Sequence, residues 1–170
     1  MDTFEAILKR RSIRKYDRKP LREGDLRKVL EAGRQAPSAA NRQPWHFIVV
    51  QDSDEKRALA QACSGQVWLA DAAVIIAGVG RPTVNDKWYA VDVAIALENM
   101  ILAATALGYG TCWIGAFDQA EVKSLLGVPD DMVVVALTPV GWPGDQPESR
   151  PRQPLAEFAS LVRYGRPFTG

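Results

Sequence analysis

The segment from Val91 to Gly110 constrains the fold most, because it is the longest apolar stretch in the sequence. Asp92, Glu98 and Asn99 interrupt it, and a helix inside a bilayer would carry such groups only at a large free-energy cost. We therefore predict a helix that is buried on nearly all sides, in a soluble core or a subunit interface, and no membrane partner. Gly108 is expected to end this helix. Asp92 and Glu98 are expected to meet polar partners in a subunit interface.

Buried strands are indicated by two other apolar runs of strand length, Ala72–Val79 and Val133–Val140. Residues with high β propensity predict further strands at 45–51 and 112–114. Helical patterns lie between these strands. The alternation of helices and buried strands indicates an α/β or α+β sandwich.

Acidic residues at the spacing of a capping box predict where three of the helices begin. The pairs are Asp2 with Glu5, Asp52 with Glu55, and Asp118 with Glu121. A further helix carries Leu26, Val29 and Leu30 at helical spacing and is expected to end near Ala36, before Pro37.

Composition bounds the class of protein. The chain has 170 residues and 47% hydrophobic content, which predicts a single domain over 1–170 with a substantial core. A formal net charge of +1 argues against a dedicated nucleic-acid binder. Cys63 and Cys112 are isolated, so neither a disulfide framework nor a thiolate metal site is indicated. Two unpaired thiols and no signal-peptide pattern in Met1–Lys9 favour a cytoplasmic protein.

Seven of the eleven residues from 9 to 19 are cationic, which is a local concentration of charge in a nearly neutral chain. Arg10, Arg11 and Arg14 offer forked donors and Ser12 offers a hydroxyl, and these groups suit the oxygens of a phosphate. The pattern therefore suggests an anionic partner. A solvated basic loop is the simpler alternative. Nucleic-acid binding is another, and it would be strongly salt-dependent.

The sequence lacks the usual side-chain catalytic motifs, including HExxH, Walker A and GxSxG. The single histidine, His46, is expected to be structural, at the start of a strand. Residues 12–15 match SxxK, but the companion motifs of that hydrolase class are missing. A large core with a phosphate-compatible segment and no catalytic side chains is typical of a protein in which a cofactor carries out the chemistry.

Several sequence blocks occur in an order that is characteristic of a known family. They are RRSIRKY at 10–16, PSAANRQPWHF at 37–47, DVAIALEN at 92–99, GYGTCWIG at 108–115 and VGWP at 140–143. Together they resemble the FMN-dependent nitroreductase family, in particular its short members with few insertions. The resemblance implies an α+β three-layer sandwich, a mixed sheet flanked by helices. It also implies a domain-swapped homodimer with two FMN sites at its interface.

The resemblance also implies which residues bind the flavin. Arg10, Arg11 and Ser12 would contact phosphate and ribityl oxygens, and Arg14 would lie towards the N1/O2 edge of the ring. The other implied contacts are Pro37, Ser38, Ala39 and Asn41 in a loop that reaches the flavin of the opposite subunit, Gln66 at the ring edge, Ile114, Gly115 and Ala116 at the turn beside N5, and Arg150 and Arg152 over the phosphate.

The sequence departs from the family pattern in two places. Gly115 stands where many members have glutamate, but the implied contact uses the backbone and should survive. Few residues separate Val79 from Lys87, so the helical roof of longer members is missing. We expect an open site with Trp88 or Tyr89 as a partial lid, and loose acceptor specificity.

The activity implied by the resemblance is ping-pong hydride transfer through flavin N5, from NADH or NADPH to a small-molecule electron acceptor. Nitroaromatics, quinones and similar electron-poor compounds would be acceptors, and no catalytic side chain is required. One alternative is a non-catalytic FMN-binding or storage protein. Another is a specialised relative, a dehalogenase or a flavin-destroying enzyme, although the lid or oxygen-site elements that such relatives use were not found in the sequence.

Overall fold

The computed structural model describes residues 1–168, so the predicted domain of 1–170 ends two residues outside the described part. The helices are α1 (Thr3–Lys9), α2 (Asp25–Arg34), α3 (Ser53–Ala62), α4 (Tyr89–Ala106), α5 (Gln119–Leu126) and α6 (Leu155–Phe158). The strands are β1 (Tyr16–Asp17), β2 (Trp45–Val50), β3 (Val74–Gly80), β4 (Gly110–Thr111) and β5 (Val133–Pro143). Two 3₁₀ turns cover Ala39–Asn41 and Val67–Asp71.

The sheet has the order β1-β5-β3-β2, with β4 also paired to β5. Each pair of these strands is antiparallel, so the prediction of a mixed sheet was wrong. In the described chain, parallel pairing is limited to an isolated bridge between Ser12 and Thr111. β2 and β3, for example, are antiparallel because α3 and the 3₁₀ turn Val67–Asp71 bring the chain back to the end of the sheet at which β2 finished. Val50 therefore faces Ile75 across the ladder.

Helices cover both faces of the sheet, which confirms the α+β class. Successive side chains of β3 point to opposite faces, so that Ile75 and Ala77 pack towards α3 and α5, whereas Val74 and Ile76 pack towards α2 and α4. Fully buried partners are Leu59, Cys63 and Val122 on the first face, and Val29, Val93 and Leu97 on the second. Each buried aliphatic side chain of this kind contributes about 1.5–3 kcal/mol to stability.

Within this one chain the long helix α4 is buried on one face, and the predicted burial of its other sides in a subunit interface stays a prediction. Val93, Leu97 and Met100 are buried against α2 and the sheet, and α2 approaches closely because Gly33 leaves room for the Met100 thioether. By length and composition alone α4 could cross a bilayer, but its packing is that of a core helix. Val91 and Ile95 remain exposed on the other side.

The predicted helix starts are confirmed. Asp2 and Glu5 form a reciprocal capping box, Asp52 caps α3 and Asp118 caps α5. The strand predicted at 112–114 lies instead at Gly110–Thr111, and Ile114 makes only an isolated bridge to Leu137. Gly110 permits this earlier pairing because a side chain there would overlap Ile13.

Candidate functional site

The basic segment after α1 is fixed to β4. Ser12 bridges Thr111, and the backbone N–H of Ile13 donates to the Thr111 carbonyl at 2.8 Å. Burial raises the pKa of the Cys112 thiol, while the charges of Arg14 and Arg10 and a hydrogen bond with the Ser12 side chain lower it. Arg14, Ser12 and Arg10, three of the residues predicted to bind the flavin, therefore lie near enough to the Cys112 thiol to affect its pKa.

Arg11 makes different contacts from those three residues. Its guanidinium donates to the carbonyls of Leu8 at 2.6 Å and of Arg10 at 2.8 Å, so it satisfies the C-terminal end of α1. It also borders a cavity of about 580 Å³ between α1, Tyr109 and the start of the tail at Asp145. Lys9 and Ile13 border the same cavity, but Arg11 is not among the residues that affect the Cys112 thiol.

The turn after β4 presents open backbone. Ile114 is anchored by two hydrogen bonds with Leu137, at 2.9 and 3.0 Å. Gly115 is exposed, and a side chain added there would meet only the Trp113 ring nitrogen at 3.9 Å. The Cα side of this turn is therefore open to a ligand.

Gln66, which the resemblance places at the ring edge, lies beside this turn in the structure. Its side-chain nitrogen donates to the Cys63 carbonyl at 2.9 Å and lies 3.5 Å from the Ala116 carbonyl. The backbone N–H of Asp118 donates to the Ala62 carbonyl at 2.9 Å, which ties the turn to the end of α3. The structure thus brings Gln66, Gly115 and Ala116 together.

The loop that begins at Pro37 is held in an unusual conformation. Ala40, Asn41 and Gln43 have φ values of 50, 55 and 49°, although none is glycine. Each such residue costs about 1–3 kcal/mol, and strain of this kind is concentrated at functional sites. Ser38 stabilises the turn by accepting a hydrogen bond from the Gln43 backbone at 3.0 Å.

Within residues 1–168, no hydrogen bond or ion pair joins this loop to the basic segment or to the Gly115 turn. The loop is connected instead to α4, where the Ala39 backbone N–H donates to Asp92 Oδ1 at 3.1 Å. Pro37 and Asn41 are exposed. One chain therefore carries the predicted contacts as two separate groups.

The predicted C-terminal cations form no hydrogen bond through their side chains to the basic segment within residues 1–168. Arg150 and Arg152 are exposed, and neither forms an ion pair with the residues that the structure describes. The tail leaves the fold where the Gly144 N–H donates to the Lys15 carbonyl at 2.8 Å. Beyond that point it runs extended to the short helix α6.

A larger cavity, of about 880 Å³, lies between α3 and the turn Val67–Asp71 and contains none of the predicted residues. Its cations already have partners: Arg18 pairs with Asp71, and the buried Lys56 donates to the Ala72 carbonyl at 2.6 Å. The cavity does not compete with the candidate site for an anionic ligand.

Comparison with known proteins shows which family the chain belongs to. The sequence model of the Nitroreductase family matches residues 7–74 and 64–142. The chain belongs to the nitroreductase family. The resemblance found in the sequence is thereby confirmed.

Relatives of this nitroreductase-family chain cover nearly its whole length. It is 32% identical to the NADH dehydrogenase of Thermus thermophilus, over 91% of this chain and 93% of the relative. A nitroreductase family protein from Clostridium novyi NT has a TM-score of 0.81 at 34% identity, covering 99% of this chain and 97% of the other. The NADPH:FMN oxidoreductase of Vibrio harveyi, solved in complex with NAD+, has a TM-score of 0.88 at 29% identity, covering 96% and 78%.

The donor set in this nitroreductase-family protein fits a flavin phosphate. Arg10, Arg14 and Ser12 offer charged and hydroxyl donors to one region, and such charge-assisted bonds are strong. The backbone of Thr111 pairs with that of Ser12, and the Thr111 hydroxyl oxygen is buried with no partner among the described residues. A buried unsatisfied polar atom in the strand next to this segment is what a site that accepts a polar ligand would present.

Sequence reasoning expected Asp92 to meet polar partners in a subunit interface, which stays a prediction, and it missed the hydrogen bond from the Ala39 backbone that this chain shows. An acidic residue inside an otherwise apolar helix was the available signal for Asp92. The Cys112 thiol is buried in the core, and the influence of Arg14, Ser12 and Arg10 on its pKa was not predicted.

Proposed function

We propose that this protein is an FMN-dependent oxidoreductase that uses NADH or NADPH to reduce electron-poor small molecules such as nitroaromatics and quinones. The observation that carries the proposal is the basic segment with Arg10, Ser12 and Arg14, which is fixed to β4 by the Ser12–Thr111 bridge and the Ile13–Thr111 hydrogen bond, directly before the Gly115 turn. The names of the relatives, which include an NADH dehydrogenase and an NADPH:FMN oxidoreductase, support the same class of enzyme.

The residues of the chain would bind and orient the cofactor. When bound, FMN would accept a hydride from NAD(P)H and deliver it to the acceptor. Arg10 and Ser12 would hold its phosphate. Arg14 would lie towards the pyrimidine edge, where a cation stabilises the negative charge that reduction creates. The Gly115 N–H would orient the ring edge, and Gln66 would support that turn from behind.

We propose a homodimer as the form that completes the site. Large apolar side chains are exposed on α1, where Phe4 is 78% and Leu8 is 70% exposed, and on the adjacent α4 at Val91 and Ile95. An exposed apolar surface of this kind is typical of a protein interface. A second copy on this face would also bring the loop from Pro37 to Gln43 to the basic segment of its partner.

The acceptor site is expected to be open. Only residues 81–88 connect β3 to α4, so no additional helix covers the site from this connection. Trp88 is 43% exposed, with the Lys87 ammonium 5.2 Å from its ring centre, and remains a candidate lid. Tyr89 is less suited, because its ring packs over Gly80 in the fold. Similar-sized acceptors should therefore react at rates within a few orders of magnitude of one another.

Purification followed by a visible spectrum tests the cofactor. We expect a yellow protein whose flavin band bleaches within seconds of anaerobic mixing with NADH or NADPH, and recovers on addition of a quinone. A yellow protein that keeps its colour with both donors would favour a flavin-storage protein. A colourless protein that takes up no FMN would contradict the proposal.

A further inference from the structure

The first turn of α4 buries a carboxylate whose role the proposed function leaves open. The Asp92 residue is 3% exposed. Its Oδ1 accepts the hydrogen bond from Ala39, while its Oδ2 is buried with no partner among the described residues. Burying a charged oxygen without a partner opposes folding. The first turn of α4 favours an acidic residue through the helix dipole, but this does not supply a hydrogen-bond partner for Oδ2.

The loop from Pro37 to Gln43 depends on that carboxylate for its place in the fold. Its other hydrogen bonds are internal, such as the one from the Gln43 backbone to Ser38. Within residues 1–168, the Ala39–Asp92 bond is the one hydrogen bond that joins residues 37–43 to another element. The left-handed residues of the loop persist only where the surroundings hold them.

We propose that Asp92 is a positioning residue of the flavin site, whose carboxylate holds the Pro37–Gln43 loop in the conformation that presents Ser38 and Asn41 to the flavin of a partner protomer. The inference rests on the proposed function. Asp92 itself touches neither flavin nor acceptor in this role. It transmits the rigidity of a helix packed on the sheet to a strained loop on the surface.

Two variants test the hydrogen bond between Ala39 and Asp92, one by removing its acceptor and the other by removing its donor. Asp92→Ala removes the acceptor, and Ala39→Pro removes the donor and leaves α4 unchanged. The chain can accept proline at position 39, because Ser38 has φ −143° and ψ 157°, the extended conformation that a residue before proline requires. Each variant should raise the dissociation constant for FMN by about ten- to a hundredfold, the usual worth of a hydrogen bond to a charged group.

The FMN affinity of the double variant shows whether the two substitutions break one shared hydrogen bond or cause two independent defects. If both changes break the same bond, the double variant that carries Asp92→Ala and Ala39→Pro should bind FMN no more weakly than whichever single variant has the lower FMN affinity. Asp92→Asn keeps an oxygen that can accept from the Ala39 N–H, and its dissociation constant should fall between those of the wild type and Asp92→Ala.

FMN affinity is measured by titrating each apoprotein with FMN and following flavin fluorescence, and folding is measured by thermal unfolding in circular dichroism. A merely structural role would lower the melting temperature and leave the FMN affinity of the folded variant unchanged. Asp86→Ala is the matched control, since Asp86 is an exposed carboxylate shortly before α4 and should bind FMN like the wild type.

Wild-type affinity in folded Asp92→Ala or in folded Ala39→Pro overturns the positioning role. If Asp92→Ala does not fold, Ala39→Pro decides by the same criterion. Failure of the proposed function looks different, because the wild-type chain itself would then not bind FMN, and the positioning role would fall with it.

Discussion

Among single residues, Arg14 is proposed to set the redox potential of the bound flavin. Two unit charges about 4 Å apart at an effective dielectric constant of about 20 interact by about 4 kcal/mol. For a two-electron couple this corresponds to an upper limit of roughly 90 mV. Arg14 is exposed, so solvent screens part of this interaction. Arg14→Ala should therefore lower the midpoint potential by roughly 30–60 mV, measured by reductive titration against reference dyes.

Lys15→Ala provides the control for Arg14. Lys15 is the next cation in the same exposed segment, and its backbone carbonyl binds the Gly144 N–H, which the substitution preserves. The midpoint potential of the flavin in Lys15→Ala should match that in the wild type. Equal potentials for Arg14→Ala and the wild type would remove Arg14 from the ring edge.

Asp25 is the residue through which stability should depend on acid pH. It is 3% exposed, and it accepts hydrogen bonds from Lys28 at 2.9 Å and from the Tyr109 hydroxyl at 2.8 Å. These two bonds, that of Lys28 first, hold the pKa of the Asp25 carboxyl below its ordinary value. The folded chain therefore binds this proton less readily than the unfolded chain does.

A lowered pKa stabilises the fold above the unfolded-state pKa of about 4, and this stabilisation is lost as the pH falls towards the folded-state pKa. Asp25→Asn removes that titration. Its free energy of unfolding should be lower than that of the wild type near pH 7 and should decline less steeply below about pH 4. Urea unfolding at several pH values tests this, with exposed Asp131→Asn as the control. Identical pH profiles for Asp25→Asn and the wild type would contradict it.

At the scale of helices and strands, local chemistry made the helix starts predictable. Asp2, Asp52 and Asp118 each accept hydrogen bonds from backbone N–H groups in the first turn, a geometry that spans only three residues. The buried strands β3 and β5 were predictable for a similar reason. Burial on both faces requires an apolar run that is visible in the sequence.

Elements that depend on distant partners were missed. β1 consists of Tyr16 and Asp17, which become a strand only because Pro143 and Trp142 lie opposite them. The short strand predicted at 112–114 was displaced because Thr111 finds its partner in β5. Pairing over such sequence distances is set by tertiary packing, which local propensity does not contain.

In the candidate site too, features within one short segment were predictable and contacts between distant segments were not. The grouping of Arg10, Ser12 and Arg14 follows from one extended segment. The hydrogen bonds of Arg11 to the carbonyls of Leu8 and Arg10 were not foreseen, because they depend on how that segment meets the end of α1. The contact of Asp92 with the loop was missed because it joins residues 53 positions apart.

The cap of α5 tests how much one such local interaction contributes. Asp118 Oδ1 accepts from the Glu121 N–H at 2.8 Å. Asp118→Ala should lower the free energy of unfolding by about 1 kcal/mol, since the first turn loses its side-chain acceptor. Asp131→Ala, an exposed carboxylate just before β5, should change it by less than about 0.5 kcal/mol. The midpoint of guanidinium unfolding, at an unchanged m-value, measures both, and equal midpoints would show that the cap is dispensable.

For the whole molecule, the division of the predicted contacts has a direct consequence. The basic segment and the Gly115 turn form one group, and the loop at 37–43 forms another that is fixed to α4. Part of the exposed apolar surface, at Val91 and Ile95, lies on α4. The same helix carries Asp92, which binds the loop. Association through this surface would therefore assemble the flavin site and bury the exposed side chains in one event.

Ile95→Glu tests this coupling, because Ile95 is 37% exposed on the free face of α4, one turn after Val91. Burying a new carboxylate between two helices opposes association, so the variant should be a monomer where the wild type is a dimer in light scattering after gel filtration. Its FMN affinity should fall by more than about tenfold, equivalent to about 1.4 kcal/mol, since the partner's loop is lost. Leu125→Glu is the control: Leu125 is 45% exposed on α5, on the opposite side of the sheet, and should remain dimeric and yellow. A dimeric Ile95→Glu, or a monomeric wild type that binds FMN tightly, would show that the site does not require this surface.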